Sequence, residues 1–220
     1  MPMNMNQKQQ RAFHEIRSRW LKDLLPLENY TPTNLIEPLP LPRQSLFDGC
    51  KLLVSRKMII DAMTKNSIVA EVGTQEGIFA EYILEVATPK ELHLFDIDFK
   101  PMYARNNTKL ENFAKIHEGD SSSLLASFED NYFDWIYIDG DHHYDGVKRD
   151  AEIAVRKVKP GGFLVFNDFT VWSPVEMIDY GVPYVVCEIL NNFSWTVEFF
   201  ALHPLGYHDI AIRKPIESKN

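Results

Sequence analysis

The run Asp139-Gly-Asp141-His142-His143-Tyr144-Asp145-Gly146 places two carboxylates and two imidazoles within five residues. Carboxylate oxygens suit a hard cation such as Mg2+. Histidine is the side chain that exchanges protons near neutral pH. Asp139, Asp141 and His142 are therefore candidate catalytic residues. The hydrophobic run Phe133 to Ile138 precedes them and reads as a strand that carries them to its end.

That placement recurs. Apolar runs at Ile68 to Val72, Leu92 to Phe95, Lys115 to Ile116, Phe133 to Ile138 and Phe163 to Phe166 lead to Gly73, Asp96, Asp120, Asp139 and Asn167-Asp168 respectively. In an open α/β sheet the ligand crevice lies outside the carboxyl ends of the strands. Five such ends belong on one rim. Gly73-Thr-Gln-Glu-Gly77 follows the first run and opens a helix; glycine lets a ligand come close to the backbone. It is not the three-glycine dinucleotide fingerprint. Asp96 at the second strand end suits the two hydroxyls of a ribose.

The elements that must position these groups follow from periodicity. Helical spacing covers residues 7 to 25, with Phe13, Ile16, Trp20 and Leu24 on one face. Five prolines between Pro26 and Pro42 impose an extended strap. Residues 45 to 63 read as one helix, with Phe47, Cys50, Val54 and Met58 aligned. Beyond Lys65, helices near 77 to 87, 101 to 113, 121 to 127 and 145 to 158 alternate with the five strands. Lys159-Pro160-Gly161-Gly162 stops the last of these helices. A further helix over 181 to 192 precedes strands Trp195 to Ala201 and His208 to Ile212, joined by Pro204-Leu205-Gly206. Alternating βαβ units imply an α/β fold with a mostly parallel sheet and helices on both faces. The five strands and the C-terminal antiparallel hairpin make seven strands. Residues 1–44 form an N-terminal helix and Pro-rich strap, a lid or a dimer arm. Residues 45–220 form the main domain.

Composition narrows the setting. The 220 residues carry 23 Lys and Arg against 31 Asp and Glu, a net charge of −8. Such a chain has no general attraction for phosphate backbones, so nucleic acid is not an expected partner. Cys50 and Cys187 show no metal spacing and are too few for a disulfide framework, which suits a reducing, cytoplasmic setting. The polar start argues against a secretory signal. No apolar run approaches the ~18 residues of a membrane span.

Taken in order, Glu71-Val-Gly73-x-x-x-Gly77, Phe-Asp96-Ile-Asp98, Gly119-Asp120-Ser121, Asp139-Gly-Asp-His and Lys-Pro-Gly-Gly-Phe-Leu-Val-Phe-Asn167-Asp168 resemble a class I S-adenosylmethionine-dependent methyltransferase. The run from Asp139 to Asp150 is similar to small-molecule methyltransferases of glycan and natural-product pathways, related to metal-dependent O-methyltransferases. The resemblance covers roughly residues 45 to 213 and implies a Rossmann-like fold. It implies that Glu71, Gly73 and Gly77 line the methionine and ribose part of the cofactor, that Asp96 holds the ribose, and that Asp120 and Ser121 flank the adenine. Asp139 would lie near the methionine end. Asp139, Asn167 and Asp168 would hold Mg2+ or another divalent cation. Here the chain departs from the relatives, which carry Asp-Asn, Asp-Asp or Glu-Asp where Asn167-Asp168 stands. An amide oxygen ligates a hard cation but brings no charge.

The activity this implies is O-methylation of a hydroxyl on a small molecule or sugar, with His142 or Asp141 taking the proton. Trp172, Tyr180 and Tyr184 lie on a loop over the site, where they either stack on the acceptor or pack the loop down. The N-terminal helix needs burial against its own domain or a second subunit. An NAD-type oxidoreductase and a non-catalytic cofactor-binding module remain as other readings of the same fold.

Overall fold

The computed structural model describes residues 6–24, 38–106 and 108–216; for residues 13, 17 and 20–24 it describes the backbone alone. The strap up to Glu37 and the side chains of Phe13, Trp20 and Leu24 lie outside the described residues. The chain divides into two compact units, residues 1–38 and 39–220. The first contains helix α1 (Gln7–Leu24). Asn6 and Gln9 close its start reciprocally: each backbone N–H donates to the other's side-chain oxygen at 2.9 Å.

The second unit is built on an eight-stranded sheet. Its strands are β1 (Lys51–Leu53), β2 (Ile68–Val72), β3 (Glu91–Asp96), β4 (Lys115–Glu118), β5 (Phe133–Ile138), β6 (Val158–Phe166), β9 (Thr196–Ala201) and β10 (Asp209–Arg213). They lie in the order β1-β9-β10-β6-β5-β2-β3-β4. Strands β4, β3, β2, β5 and β6 are parallel, and β10 runs antiparallel to both β6 and β9. Two further strands, β7 (Trp172–Ser173) and β8 (Ile178–Asp179), pair on their own.

Successive strand residues point to opposite faces. Ala70, Val72, Ile136, Ile138, Leu164 and Phe166 therefore join one core, with helices α6 (Ser121–Ala126), α7 (Tyr144–Lys157) and α8 (Val182–Phe193). Val69, Leu92, Leu94, Trp135, Tyr137 and Val165 join the other. That side is covered by α2 (Arg56–Ala62), α3 (Ile78–Ala87), α4 (Lys100–Ala104) and α5 (Thr108–Phe113). Burial on both faces is why these strands read as continuous apolar runs.

Four expectations need correction. The 45–63 stretch is not one helix: it holds a short 3-10 turn (Gln44–Leu46), β1 and α2. Strand β1 pairs parallel with β9, raising the count from seven to eight. Ser55 breaks the stretch, because its extended backbone and its hydroxyl, which accepts from Lys57 N, cap α2. Residues 101–113 form two short helices, parted at Asn106, which adopts φ 53°. Lys159-Pro160-Gly161-Gly162 ends α7 but belongs to β6, where the register jumps from Phe133↔Val158 to Trp135↔Phe163.

A buried polar cluster ties β3 to β4. His93 Nδ1 lies 3.0 Å from His117 Nε2, and His93 Nε2 lies 3.3 Å from Glu91. Burial pushes His93 down from 6.5 to about 4, against the pull of Glu91. The unfolded chain takes up this proton first as pH falls. Stability that is complete above pH 6.5 is lost as pH drops through about 4, by about 3 kcal/mol in all. Melting temperature measured from pH 7.5 to 4.5 should fall, and His93→Gln should flatten the slope.

Candidate active site

The chain runs outward from β2 through β3 to β4, then returns to add β5 and β6 on the other side of β2. The reversal opens a crevice between the ends of β2 and β5. A cavity of about 790 Å³ lies there, within the range of small-molecule sites. Gly73, Asp96, Gly119-Asp120, Asp139 and Asn167-Asp168 all line it. Residues up to 95 positions apart in sequence, Gly73 and Asp168, thus share one wall.

Gly73 has φ +84°, and a Cβ there would lie 2.0 Å from the carbonyl oxygen of Asp139. Only glycine fits where the two strand ends meet. Glu71, two residues earlier, is 1% exposed. Its Oε2 has no hydrogen-bond partner, and neither does the nearby Thr74 Oγ1. Burial pushes the Glu71 carboxyl up to about 8, with Thr74 and Arg56 pulling the other way. Asp96 Oδ2 accepts from Gln75 N at 2.7 Å and its Oδ1 from Asp98 N at 3.1 Å. The carboxylate at the end of β3 therefore fixes the loop after β2.

Asp120 caps α6: its Oδ1 accepts from Ser123 N at 2.8 Å and from the Ser122 hydroxyl at 2.7 Å. Those bonds pull its carboxyl down to about 2. Ser121 donates to Asp150, also on the cavity wall, at 2.5 Å. Gly77 is not among the lining residues. It starts α3 with φ +74°, facing Met102 and Leu110, where a Cβ would be 3.0 Å from either side chain. Its place is in the turn that aims the loop.

The opposite end of the cavity is held by β5 and β6. The register pairs Glu71 with Tyr137, so Glu71, Tyr137 and Asp139 share one face. Above that face lies the first residue of α2, Arg56. Its Nη1 is 3.5 Å from Asp139 Oδ2 and donates to the Tyr137 hydroxyl at 3.2 Å. Its guanidinium carbon stands 4.3 Å from the centre of the Phe79 ring. Tyr137 in turn donates to the buried Asp209 at 2.6 Å. The Asn167 amide satisfies its neighbours with its nitrogen toward the carboxylates. It then donates to Asp139 Oδ1 at 2.8 Å and Asp168 Oδ1 at 3.1 Å, while its oxygen accepts from Arg56 at 2.8 Å. Asp168 has φ 54°, uncommon for a residue with a Cβ. Burial lifts its carboxyl to about 6.

His142 Nε2 lies 3.6 Å from Asp139 Oδ1 and 4.0 Å from Asp168 Oδ2. Its ring stacks on Tyr180 at 4.6 Å between centres, and Tyr180 is fixed by donating to Glu176 at 2.7 Å. Burial lowers the His142 pKa, so the imidazole is neutral near pH 7. Asp141 sits at the rim, where Oδ1 accepts from the backbone N–H of His143 at 2.9 Å and lies 2.9 Å from its Nδ1. His143 is exposed. Of the loop aromatics, Tyr180 lines the cavity; Trp172 does not, and is exposed on β7.

Residues 70–169 match the family described as a methyltransferase domain. The fold agrees. An O-methyltransferase family protein from Burkholderia thailandensis superposes with a TM-score of 0.57 at 12% identity, over 74% of this chain. This chain spans only 56% of that protein. A SAM-dependent methyltransferase from Aquifex aeolicus gives 0.52 at 15% identity, over 83% of this chain and 92% of its own. The Burkholderia thailandensis 1,6-didemethyltoxoflavin-N1-methyltransferase, solved with its substrate and S-adenosylhomocysteine bound, gives 0.52 at 14%, over 72% and 78%. No curated protein matches in sequence. No helix among the described residues is long and apolar enough to cross a membrane.

The cavity wall carries groups that would suit an S-adenosyl ligand. Glu71 Oε2 and Thr74 Oγ1 are buried oxygens without a partner that an ammonium group would satisfy, and the Asp96 carboxylate lines the same cavity, where it would suit ribose hydroxyls. The cavity does not fit the expected divalent cation. Of the three proposed ligands, Asn167 is neutral, and its nitrogen, not its oxygen, faces Asp139 and Asp168. Arg56 already neutralises Asp139. No group of three or more His, Cys, Asp or Glu among the described residues is placed to hold a metal. Arg56, Thr74, Tyr137, Glu176 and Asp209 escaped the sequence reading. Only Ser55, a helix-cap residue just before Arg56, signalled that a helix begins there.

Proposed function

We propose that this chain is an S-adenosylmethionine-dependent methyltransferase that acts on a hydroxyl of a small molecule or sugar. The buried Oε2 of Glu71, which has no hydrogen-bond partner, beside the glycine loop carries the reading. An enclosed acid without a partner is costly unless a ligand supplies one. Glu71 and Thr74 would hold the amino-acid end, Asp96 the ribose, and the Asp120-Ser121-Asp150 wall the adenine. When bound, the cofactor supplies an electrophilic methyl group on a cationic sulfonium. The predominantly acidic wall suits that charge.

A neutral alcohol is a weak nucleophile and must lose its proton as the new O–CH3 bond forms. His142 Nε2 accepts that proton. Asp139 and Asp168 stabilise the resulting imidazolium, and Tyr180 holds the ring plane. Alignment of acceptor and methyl group supplies much of the remaining rate.

The test is calorimetry and thermal shift with S-adenosylmethionine, S-adenosylhomocysteine and NAD. Binding of both S-adenosyl ligands and not NAD supports the reading; at one hundred times Kd the stabilisation is about 2.7 kcal/mol. NAD binding alone would replace it with the oxidoreductase. Asp96→Ala removes the side-chain acceptors of two backbone N–H groups and the ribose contact, so S-adenosylhomocysteine affinity should fall by roughly 100-fold. Unchanged affinity would detach Asp96 from the ligand.

A further inference from the structure

We propose that Arg56 is the resident cation of the acceptor end, replacing a divalent metal, and that the site operates without one. The inference rests on the methyl-transfer reading for its chemistry but not for its geometry. Arg56 reaches three groups through Nη1: Asp139, Tyr137 and the Asn167 oxygen. Phe79 covers the guanidinium on one face. A guanidinium keeps its charge throughout the pH range of a folded protein. A divalent ion placed among Asp139, Asn167 and Asp168 would confront this fixed charge, with the two ligand carboxylates and the buried Asp209 left to offset both. Coulomb repulsion at such short range in a half-buried site is large.

Asn167 completes the substitution. A third carboxylate there would leave three anions against one guanidinium. An amide instead links the two carboxylates through its nitrogen and meets Arg56 through its oxygen, so both of its polar atoms find partners. Among the described residues no hydrogen bond engages Arg56 Nε or Nη2, although Arg56 lines the cavity. Donors without a protein partner would be available to an acceptor oxygen in the cavity, where they would stabilise the charge that develops as His142 removes its proton.

The test compares the full-length chain with Arg56→Met, Asn167→Asp and the double variant. Mn2+ titration by calorimetry reads the metal. The wild type is expected to show no Mn2+ binding at millimolar concentration, and its thermal shift with S-adenosylhomocysteine should be the same in EDTA and in Mn2+. The double variant has three carboxylates and no guanidinium, and should bind Mn2+ at least ~10-fold more tightly than wild type. Wild-type Mn2+ binding that Asp168→Ala abolishes would overturn the proposal. So would methyl transfer from S-adenosylmethionine to a hydroxyl acceptor, with release of S-adenosylhomocysteine, that occurs only with added metal. The wild-type titration decides even if the variants fail to fold. Failure of S-adenosyl ligands to bind would instead remove the functional reading and leave the metal result standing.

Discussion

Gly73→Ala should abolish S-adenosylhomocysteine binding and lower the melting temperature by roughly 6–12 °C, equivalent to about 3 kcal/mol. Two penalties combine. The new residue must hold φ +84°, and its Cβ must displace the Asp139 carbonyl, 2.0 Å away. Gly206 separates them, because it has the same φ of +84° and nothing within 4 Å. Gly206→Ala carries the backbone penalty alone, about 1 kcal/mol. Circular dichroism melts of the two variants isolate the steric part, and calorimetry reads the ligand. Equal melting temperatures for both would mean that β2 and β5 do not meet as described. The collision matters for function because the backbone it displaces carries Asp139.

His142→Ala should leave S-adenosylhomocysteine affinity within ~3-fold of wild type while lowering kcat by about 100- to 10,000-fold. The His142 ring meets Asp139, Asn167, Asp168 and Tyr180, and none of Glu71, Thr74, Asp96 or Asp120. Removing it therefore spares ligand capture and removes the base. The measurement is methyl transfer to whichever member of a panel of sugar and phenol hydroxyls serves as acceptor, with calorimetry alongside. An unchanged kcat would pass the proton-accepting role to Asp168, whose carboxyl burial lifts to about 6. A parallel loss of ligand affinity would show that His142 holds the cavity open instead.

The rim was legible in the sequence for a physical reason. A strand buried on both faces must be apolar until it reaches solvent or ligand, so its last residue announces itself. Gly73, Asp96, Asp120, Asp139 and Asn167-Asp168 all stand out in this way, and all line the cavity. Gly77 looked equivalent to Gly73 but faces Met102 and Leu110, since a glycine in sequence does not say which way its missing side chain would point. The 45–63 stretch misled because Phe47, Cys50, Val54 and Met58 match a helical period, whereas pairing with β9 and the Ser55 cap decide its structure.

The charge of the acceptor end belonged to tertiary structure alone. Sequence by itself determined the five parallel strands and the C-terminal hairpin, the loaded rim and the acidic residues at positions 139 and 168, but not β1. Nothing in local spacing linked Arg56 to Asp139, 83 residues later. That contact exists because α2 packs on the face of the sheet to which Glu71, Tyr137 and Asp139 point, with its first residue over the end of β5. Which helix end overhangs which strand end is set by long-range packing, and that packing turned a pattern that reads as a metal site into one centred on a guanidinium.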